Sequence, residues 1–475
     1  MSLTSASFYL FLTAACVLYY AVPKKLRRFV LLFINVAFYV LLGLRFTVTL
    51  VAVIAASYGF GLLLNKTKRK KLVLGLSVFV LAGVLITMKY LGFALSLFGV
   101  ETSGTFLSLA VPIGLSFYAL TCIGYLVDVY RGKTPAEKNF VDFSLFVGLF
   151  VQIMSGPIPR SYELLAQVKQ SRDFDYERLK RGFIRIVFGL FTKLVVADNL
   201  AVSANHYFDN PVDANSYNLI LAAVIYGIQI YCDFRAYSDI VLGAGEILGF
   251  TLMENFKAPY LSSNMREFWR RWHISLSNWF RDYLYFPLGG SRCHTLRVVF
   301  NTLVVFAVSG LWHGASLGFL AWGVLHGFYL SVSILLKKPR EALSSTLCIK
   351  DGGFYKTYIC PVFVFLLSDF AWIFFRAGSL DNALIYISNI LRIKEYDLPT
   401  WFVPSLYFPK NHMWATLIGI LLVFTADIFV KKERPLRLTI SKAAPVVRFV
   451  FYYVLLFAVM FFGSFGNSSF IYINF

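Results

Sequence analysis

Charged residues are scarce in this sequence, and acidic residues are scarcer than basic ones. Only 15% of the 475 residues are charged, and 25 Asp and Glu stand against 45 Lys and Arg. Soluble domains carry about 25% charged and roughly 45–50% apolar residues, whereas 58% of this chain is hydrophobic. This composition and the mean hydropathy of +0.67 exclude a soluble globular enzyme and a disordered chain. They predict an all-α, polytopic bundle of membrane helices, some of them re-entrant.

Cysteine is rare and shows no metal-binding or disulfide pattern. The six cysteines form no CxxC pair, and four of them lie inside apolar runs, which disfavours a disulfide framework and a zinc site. Since HExxH is also missing, we expect no metal. No nucleic-acid motif occurs, and topology with anionic membrane lipid explains the net charge of +20. We therefore expect a lipid environment and no nucleic-acid partner.

Low-complexity linkers and internal repeats are missing too, so the sequence predicts one membrane-embedded domain over 1–475. A membrane span needs about 20 apolar residues, and the apolar stretches predict about 10 to 13 crossing or half-crossing helices. These stretches are 6–22, 27–44, 46–64, 72–98, 107–127, 140–156, 182–203, 217–232, 237–250, 297–311, 315–336, 357–375, 413–430 and 446–463.

Four basic clusters predict the orientation: 24–28, 66–71, 337–340 and 431–437. Two predicted spans separate the first cluster from the second, and two separate the third from the fourth. The positive-inside rule makes the side that carries them cytoplasmic. The N-terminus lacks the basic start of a cleavable signal peptide, and we expect both it and the tail 464–475 on the extracytoplasmic side.

The segment 252–296 is too polar to span a membrane and too aromatic for an ordinary loop. Its mixture of arginine and tryptophan suits an amphipathic or re-entrant helix at the membrane face. One interpretation is an interfacial anchor. In the other, arginines such as Arg270 and Arg271 bind a phosphate-bearing substrate and His273 points into the protein.

Two histidines lie inside the apolar run 310–327, GLWHGASLGFLAWGVLHG. An ionisable residue within a membrane is a functional candidate because burying it is costly. If the run is one straight helix, His313 and His326 lie roughly 20 Å apart on nearly opposite faces. This geometry predicts that the two histidines do not share a metal site.

The same run contains GASLG, which matches the GxSxG pattern of serine hydrolases. That pattern needs a strand before it, and nothing here reads as a strand. A stripe of Gly310, Gly314 and Gly318 that allows close approach of a helix is the favoured interpretation.

Several charges lie inside other apolar runs, and most are expected to tie helices together. Arg235 and Asp239 are four residues apart and could pair on one helix face. Lys193 and Asp198 are further charges inside an apolar run. The terminal FIYINF carries Tyr472, which fits either an aromatic belt or a phenol that accepts an acyl group as an ester.

In this order and spacing, the motifs resemble the membrane-bound O-acyltransferases (MBOAT), in the bacterial branch of alginate and peptidoglycan O-acetyltransferases. The segments that carry the resemblance are 111–133, 142–160, 193–201, 231–250, 268–290, 310–327, 372–384 and the terminal FIYINF. The resemblance implies a multi-pass protein of the bacterial cytoplasmic membrane, with a cytoplasmic acyl donor and an extracytoplasmic acceptor.

The resemblance also implies roles for particular residues. His313 matches the family's invariant histidine, His273 its second active-site residue, and His326 a further recurrent histidine. Tyr472 matches the tyrosine thought to carry the acyl group outward.

The expected donor is acetyl-CoA, acting as a substrate with no bound cofactor. Arg270, Arg271 and Trp269 are expected to bind it, and Asp198 is expected to support the site.

The expected function is O-acetylation of a cell-surface polysaccharide, with an extracytoplasmic SGNH-type, esterase-like acetyltransferase as partner. Transfer of D-alanine from a carrier protein to teichoic acid is the alternative within the family. A proton-coupled transporter and an inert scaffold are the alternatives outside it.

Overall fold

The computed structural model describes residues 2–97, 111–152, 156–212, 214–346, 350, 352–392, 412–465 and 470–471. Within these ranges the secondary structure is helical and contains no strand. The α-helices are α1 Ala6–Ala21, α2 Arg27–Leu42, α3 Leu44–Lys66, α4 Lys70–Leu97, α5 Leu115–Tyr130, α6 Phe140–Gly148, α7 Ser161–Val168, α8 Tyr176–Phe191, α9 Asp198–Asp209, α10 Ser216–Ile247, α11 Met265–Arg271, α12 Ile274–Phe280, α13 Thr295–His313, α14 Leu317–Leu335, α15 Lys337–Thr346, α16 Cys360–Arg376, α17 Leu380–Leu391, α18 His412–Lys431, α19 Leu436–Ser441 and α20 Pro445–Phe462. Short π-helical segments occupy Thr192–Ala197, Arg281–Tyr285 and Tyr355–Ile359.

Nine helices in the described part of the chain are long and apolar enough to cross a membrane. They are Leu44–Lys66, Lys70–Gly92, Tyr176–Asp209, Ser216–Ile247, Thr295–His313, Leu317–Leu335, Tyr355–Arg376, His412–Lys431 and Pro445–Phe462. The apolar helices α1 and α5 are shorter. The prediction of an all-α, polytopic membrane protein is confirmed.

Two of the predicted stretches, 217–232 and 237–250, are one continuous helix, α10. The predicted stretches stop on either side of residues 233–236. In the structure, Arg235 bonds to Asp427 of α18, and Asp239 accepts a hydrogen bond of 2.8 Å from Arg185 of α8. Both charges of the predicted i,i+4 pair therefore bind partners on other helices. The stretch 140–156 contains the nine-residue helix α6, which is too short to cross a membrane by itself.

The described residues divide into two compact units, and the prediction of a single domain stays a prediction. The first unit comprises 2–186 and 237–254, and the second comprises 187–236 and 255–471. In the first unit, α8 and α10 approach closely at Gly182 and Gly243. A Cβ on either glycine would lie 2.6 Å from the carbonyl oxygen of the other, so only glycine fits this crossing.

In the second unit, α13 and α14 form a helical hairpin. Helix α13 ends at His313, Gly314 is extended, and Ser316 caps α14 by accepting a hydrogen bond of 3.0 Å from the Gly318 N–H. The same hydroxyl donates to the Gly378 carbonyl at 2.8 Å. Ser316 is therefore a helix cap in an all-helical context, and the straight helix expected over 310–327 was wrong.

The hairpin also corrects the predicted glycine stripe. A Cβ on Gly323 would lie 3.1 Å from Gly310 Cα and closer still to the Phe306 carbonyl oxygen. The close approach thus joins Gly310 of α13 to Gly323 of α14. Gly314 lies in the turn, and Gly318 faces the Phe374 carbonyl of α16.

Candidate active site

The hairpin brings His313 and His326 to the same indole ring. The Trp322 ring centroid lies 5.1 Å from that of His313 and 5.1 Å from that of His326. His313 is 2% exposed, and His326 and Trp322 are fully buried. The opposite faces expected for these histidines on a straight helix were wrong, because the turn at Gly314–Ser316 folds α14 back along α13.

His273 joins the same cluster from the polar segment. It lies between α11 and α12 with left-handed backbone angles, φ 41° and ψ 56°, a conformation in which His is enriched among non-glycine residues. The buried Asn255 fixes this corner, accepting hydrogen bonds from the Ile274 N–H at 3.0 Å and from the Ser275 hydroxyl at 2.7 Å. The His273 ring lies 6.4 Å from the Trp312 ring.

Five side chains therefore form what we call the histidine–tryptophan cluster: His273, Trp312, His313, Trp322 and His326. Trp312 also contacts His313, with ring centroids 4.9 Å apart. Each tryptophan thus lies between two histidines. Every member of the cluster is at most 5% exposed, so the histidines lie in a water-poor, aromatic environment.

The environment of His273 keeps its imidazole neutral. Burial lowers the pKa of His273 from its ordinary value of 6.5 to about 3, because the interior penalises the charged form. A neutral imidazole can accept a proton or a hydrogen bond at neutral pH. His273 is therefore a hydrogen-bond acceptor rather than a standing cation.

His326 occupies the middle of α14 and is enclosed by the polar segment. The Trp269 ring lies 4.9 Å from the His326 ring, and the Phe268 ring lies parallel to it at 6.3 Å. Neither nitrogen of His326 has a hydrogen-bond partner among the described residues. Buried polar atoms are normally hydrogen-bonded, so this imidazole has two unused sites that a substrate group could bind.

Helix α11 packs on the middles of three candidate spans. Trp269 contacts Phe306 of α13 at 5.0 Å as well as His326 of α14. The Met265 sulfur lies 3.9 Å from the hydroxyl of Ser368, the central residue of α16. The buried face of this polar segment is therefore aromatic and apolar.

The arginines of α11 differ in their surroundings. Arg271 pairs with Glu267 at 2.6 Å. Burial alone would raise the pKa of Glu267, but hydrogen bonds from Ser263 and the charge of Arg271 hold that pKa below its ordinary value. Arg266 and Arg270 are exposed, and neither has an ion pair in the part of the chain that the structure describes. Of the residues expected to bind the donor, Arg270 remains open to solvent, Arg271 is partly neutralised, and Trp269 turns towards His326.

A second polar group, Lys193, Asp198 and Asp233, lies at the π-helical segment Thr192–Ala197. The Lys193 ammonium lies 2.7 Å from Asp198 and 2.6 Å from Asp233, and all three side chains are buried. These charges are paired, as expected for most of the charges inside apolar runs. Asp198 binds this lysine, and its expected supporting role in the site stays a prediction.

The tail reaches this group. Phe470 is buried over the Lys193 ammonium at 4.4 Å, and the Ile471 N–H donates to Asp233 at 2.8 Å. Phe470 therefore does not belong to an aromatic belt. Tyr472 lies outside the described residues, and its role stays a prediction.

Within the described ranges, no group of three His, Cys, Asp or Glu side chains is placed to hold a metal ion. The arrangement offers instead a neutral imidazole, two further buried imidazoles and exposed guanidinium groups. Histidine can take a proton from an attacking hydroxyl and return it to a leaving group. Such a set suits group transfer by acid–base catalysis.

Sequence reasoning missed Trp312 and Trp322 as members of the site. Each stands beside or near a histidine in the sequence, at W-H in 312–313 and W-x-x-x-H in 322–326. The second spacing puts Trp322 and His326 on one helix face, which was a readable signal. The contact of Trp322 with His313 depends on the hairpin and has no local signal.

Comparisons with known proteins agree with this geometry. The model of the membrane-bound O-acyltransferase family, MBOAT, matches residues 128–375. A probable alginate O-acetylase, AlgI, from Azotobacter vinelandii is 37% identical over 388 residues, covering 79% of this chain and 74% of that protein. The peptidoglycan O-acetyltransferase of Helicobacter pylori is 31% identical over 394 residues, covering 76% and 73%.

A more distant relative is the teichoic acid D-alanyltransferase of Bacillus subtilis, 25% identical over 232 residues and covering 46% of this chain. The matched family region contains the whole histidine–tryptophan cluster. The chain therefore belongs to the membrane-bound O-acyltransferase family and is a multi-pass membrane acyltransferase.

Proposed function

We propose that this protein is an O-acetyltransferase that uses cytoplasmic acetyl-CoA to acetylate a cell-surface polysaccharide of the alginate or peptidoglycan kind. The observation that carries the proposal is the histidine–tryptophan cluster, which joins His313 to His273 through Trp312. The two relatives named for O-acetylation match over three quarters of this chain.

In the proposed reaction, an acceptor hydroxyl attacks the thioester carbonyl of acetyl-CoA. An ester C–O bond forms, the C–S bond breaks, and the hydroxyl proton ends on the departing sulfur, so that CoA leaves as its thiol. His313 removes the proton from the attacking hydroxyl and delivers it to the departing sulfur. His273 assists as a neutral hydrogen-bond acceptor. The aromatic surroundings exclude water, which would hydrolyse the acetyl group.

The donor is proposed to enter from the side of α11. The exposed Arg266 and Arg270 lie one turn apart on that helix, and guanidinium groups bind phosphate through paired hydrogen bonds. Lys431, in the fourth basic cluster, donates to the Leu261 carbonyl at 3.0 Å. This contact supports a cytoplasmic location for the mouth of the polar segment.

The segment 252–296 is proposed to be re-entrant rather than interfacial. Its helix α11 contacts His326 and Ser368, the central residues of α14 and α16. These contacts favour insertion of the segment to the middle of the spans. The exposed Arg266 and Arg270 then lie where the segment enters the membrane.

The acetyl group is proposed to leave through Tyr472, which would carry it as an ester to an extracytoplasmic SGNH-type, esterase-like acetyltransferase. That partner would then modify the polysaccharide. Support comes from Ile471, whose N–H binds Asp233, the neighbour of Phe234. The Phe234 ring contacts the His273 ring at 4.7 Å, so the tail approaches the cluster. The bacterial cytoplasmic membrane is the proposed location, with both termini outside.

The match to the D-alanyltransferase covers less than half of this chain, so D-alanyl transfer is the second candidate. The test uses purified protein in detergent with acetyl-labelled acetyl-CoA. We expect covalent label on wild type and none on His313→Ala or Tyr472→Phe. Peptide mapping would assign the label to Tyr472.

The other outcomes are equally informative. Label that persists in Tyr472→Phe but is lost in His313→Ala would support the enzyme and refute the relay. Wild-type protein that takes no label and releases no CoA would refute acetyl-CoA as donor, and D-alanine on a carrier protein would be tested next.

A further inference from the structure

Described residues at and beyond the end of α20 contact the π-helical segment between α8 and α9 and the start of α9. A π-helical turn shifts the backbone hydrogen-bond register, so it differs locally from the α-helix on either side. Here the Leu194 carbonyl accepts a hydrogen bond of 2.9 Å from the Ser464 N–H. One turn further on, the Asn199 amide donates to the Phe462 carbonyl at 3.0 Å. Two described points of the tail are thus bonded to this one helix.

The far end of the tail binds the buried ion group of the same helix. The Phe470 ring covers the Lys193 ammonium at 4.4 Å, and the Ile471 N–H donates to Asp233 Oδ2 at 2.8 Å. The other carboxylate oxygen, Asp233 Oδ1, binds Lys193. Asp233 therefore links the lysine of α8–α9 to the backbone of the tail.

Charge explains why these contacts stabilise each other. The group Lys193, Asp198 and Asp233 contains two carboxylates and one ammonium, and buried charges need hydrogen bonds as well as ion pairs. The Ile471 N–H supplies one such bond to a carboxylate. The Phe470 ring faces the ammonium with its negative π-face, which is a cation–π arrangement.

Asp233 also stands beside the histidine–tryptophan cluster. Its neighbour on α10, Phe234, contacts His273 with ring centroids 4.7 Å apart. Ile471 directly precedes Tyr472, and consecutive Cα atoms are about 3.8 Å apart. The anchored residue is therefore the immediate neighbour in sequence of the proposed relay tyrosine.

We propose that Lys193 and Asp233 are positioning residues that hold the C-terminal tail in register for acyl transfer. The proposal rests on the proposed function, in which Tyr472 accepts the acetyl group. It assigns the buried ions a role beyond tying helices together. Neither residue touches the acetyl group in this scheme, and both act through Phe470 and Ile471.

The test measures backbone amide exchange of peptides covering 462–471 by mass spectrometry in wild-type protein, Asp233→Ala and Asp233→Asn. We expect exchange at Ile471 to rise at least tenfold in Asp233→Ala. Asp233→Asn keeps an oxygen acceptor, so exchange should stay closer to wild type. Equal exchange in all three proteins would overturn the proposal.

The matched control is Asp427→Ala. Asp427 is likewise buried and likewise paired with a cation, Arg235 of α10, and it accepts a hydrogen bond from Tyr231 of the same helix. We expect its loss to leave exchange at Ile471 unchanged. A rise equal to that in Asp233→Ala would show a general loss of stability and would overturn the proposal.

Phe470→Leu tests the same anchor from the tail, should Asp233→Ala fail to fold. It removes the cation–π contact and keeps an apolar side chain, and exchange at Ile471 should again rise. Exchange unchanged in Phe470→Leu would remove the lysine contact from the proposal.

A kinetic readout separates positioning from binding. In Asp233→Ala we expect the rate of acetyl transfer to Tyr472 to fall at least tenfold, with the KM for acetyl-CoA unchanged. A raised KM with an unchanged rate would contradict a positioning role. If wild type takes no label, the proposed function fails, while the exchange data still decide whether Asp233 holds the tail.

Discussion

His273 combines a strained backbone with a buried, neutral ring. Non-glycine residues in the left-handed region cost about 1–3 kcal/mol and persist only where surrounding contacts impose them. Asn255 imposes the conformation here. This conformation directs the imidazole towards Trp312. Burial lowers the pKa of that imidazole to about 3.

This pKa predicts how acid affects stability. Between pH 6.5 and 3, the unfolded chain binds a proton at His273 that the folded protein does not bind. The free energy of unfolding therefore falls as the pH is lowered from 6.5 towards 3, by about 1.4 kcal/mol per pH unit. His273→Asn lacks this group, and Asn tolerates the left-handed conformation.

We expect wild type to lose more stability than His273→Asn between pH 7 and pH 5, by about 2 kcal/mol. Thermal unfolding in detergent at the two pH values measures the difference. The same drop in Tm for both proteins would show that His273 does not titrate as a buried group.

The Trp322 indole ring contacts the rings of both His313 and His326. Trp322→Phe keeps an aromatic ring but leaves a smaller side chain between His313 and His326, so the two imidazoles can shift. Misplacement of catalytic groups by about 1 Å can cost about 100-fold in rate. We expect CoA release to slow by about 10- to 100-fold. Trp414→Phe is the matched control because Trp414 is 68% exposed, and its rate should match wild type. Wild-type rates in both variants would exclude Trp322 from the site.

The hairpin of α13 and α14 is the element that creates the site. A Cβ on Gly323 would overlap the Phe306 carbonyl oxygen, so Gly323→Ala should separate the two helices and move Trp322 from His313. We expect a loss of stability of about 1–3 kcal/mol, as for other overpacked positions, and a loss of activity.

Gly83→Ala on α4 provides the comparison, because nothing lies within 4 Å of a Cβ there. Alanine favours helix over glycine by about 0.5–1 kcal/mol, so this variant should be as stable as wild type or slightly more so. Thermal unfolding and CoA release measure both effects. A fully active Gly323→Ala would contradict the role of the hairpin.

The elements were predictable from the sequence where one residue pattern settled them. Long apolar stretches identified most spans, and the basic-aromatic run around Trp269 identified a segment that does not span. The break at Gly314–Ser316 was missed because a short G-A-S turn inside an apolar run leaves the hydropathy unchanged. The continuity of α10 was missed because Arg235 and Asp239 bind partners that lie far away in sequence.

The site was predictable only in its parts. His273, His313 and His326 could each be singled out as ionisable residues in apolar or aromatic surroundings. Their arrangement around Trp312 and Trp322 depends on tertiary contacts. The resemblance to MBOAT proteins supplied the roles that periodicity and charge alone left open.

The distribution of basic residues predicts the orientation of the second unit. Lys338 precedes α16 and Asp381 follows it, and both are exposed, so one span separates them. We expect a membrane-impermeant maleimide to label Asp381→Cys on intact cells and Lys338→Cys only in inverted vesicles. Wild type, with its six native cysteines, gives the background. The opposite pattern would invert the proposed topology and place the donor outside.

The most direct test of the central claim is the rate of CoA release from acetyl-CoA in a single turnover. We expect His313→Ala to be about 100- to 10,000-fold slower than wild type, the usual contribution of a general acid–base group, with an unchanged Tm. His206→Ala removes an exposed histidine outside the cluster and should match wild type. A His313→Ala protein that is folded and releases CoA within tenfold of the wild-type rate would contradict acyl transfer at this histidine.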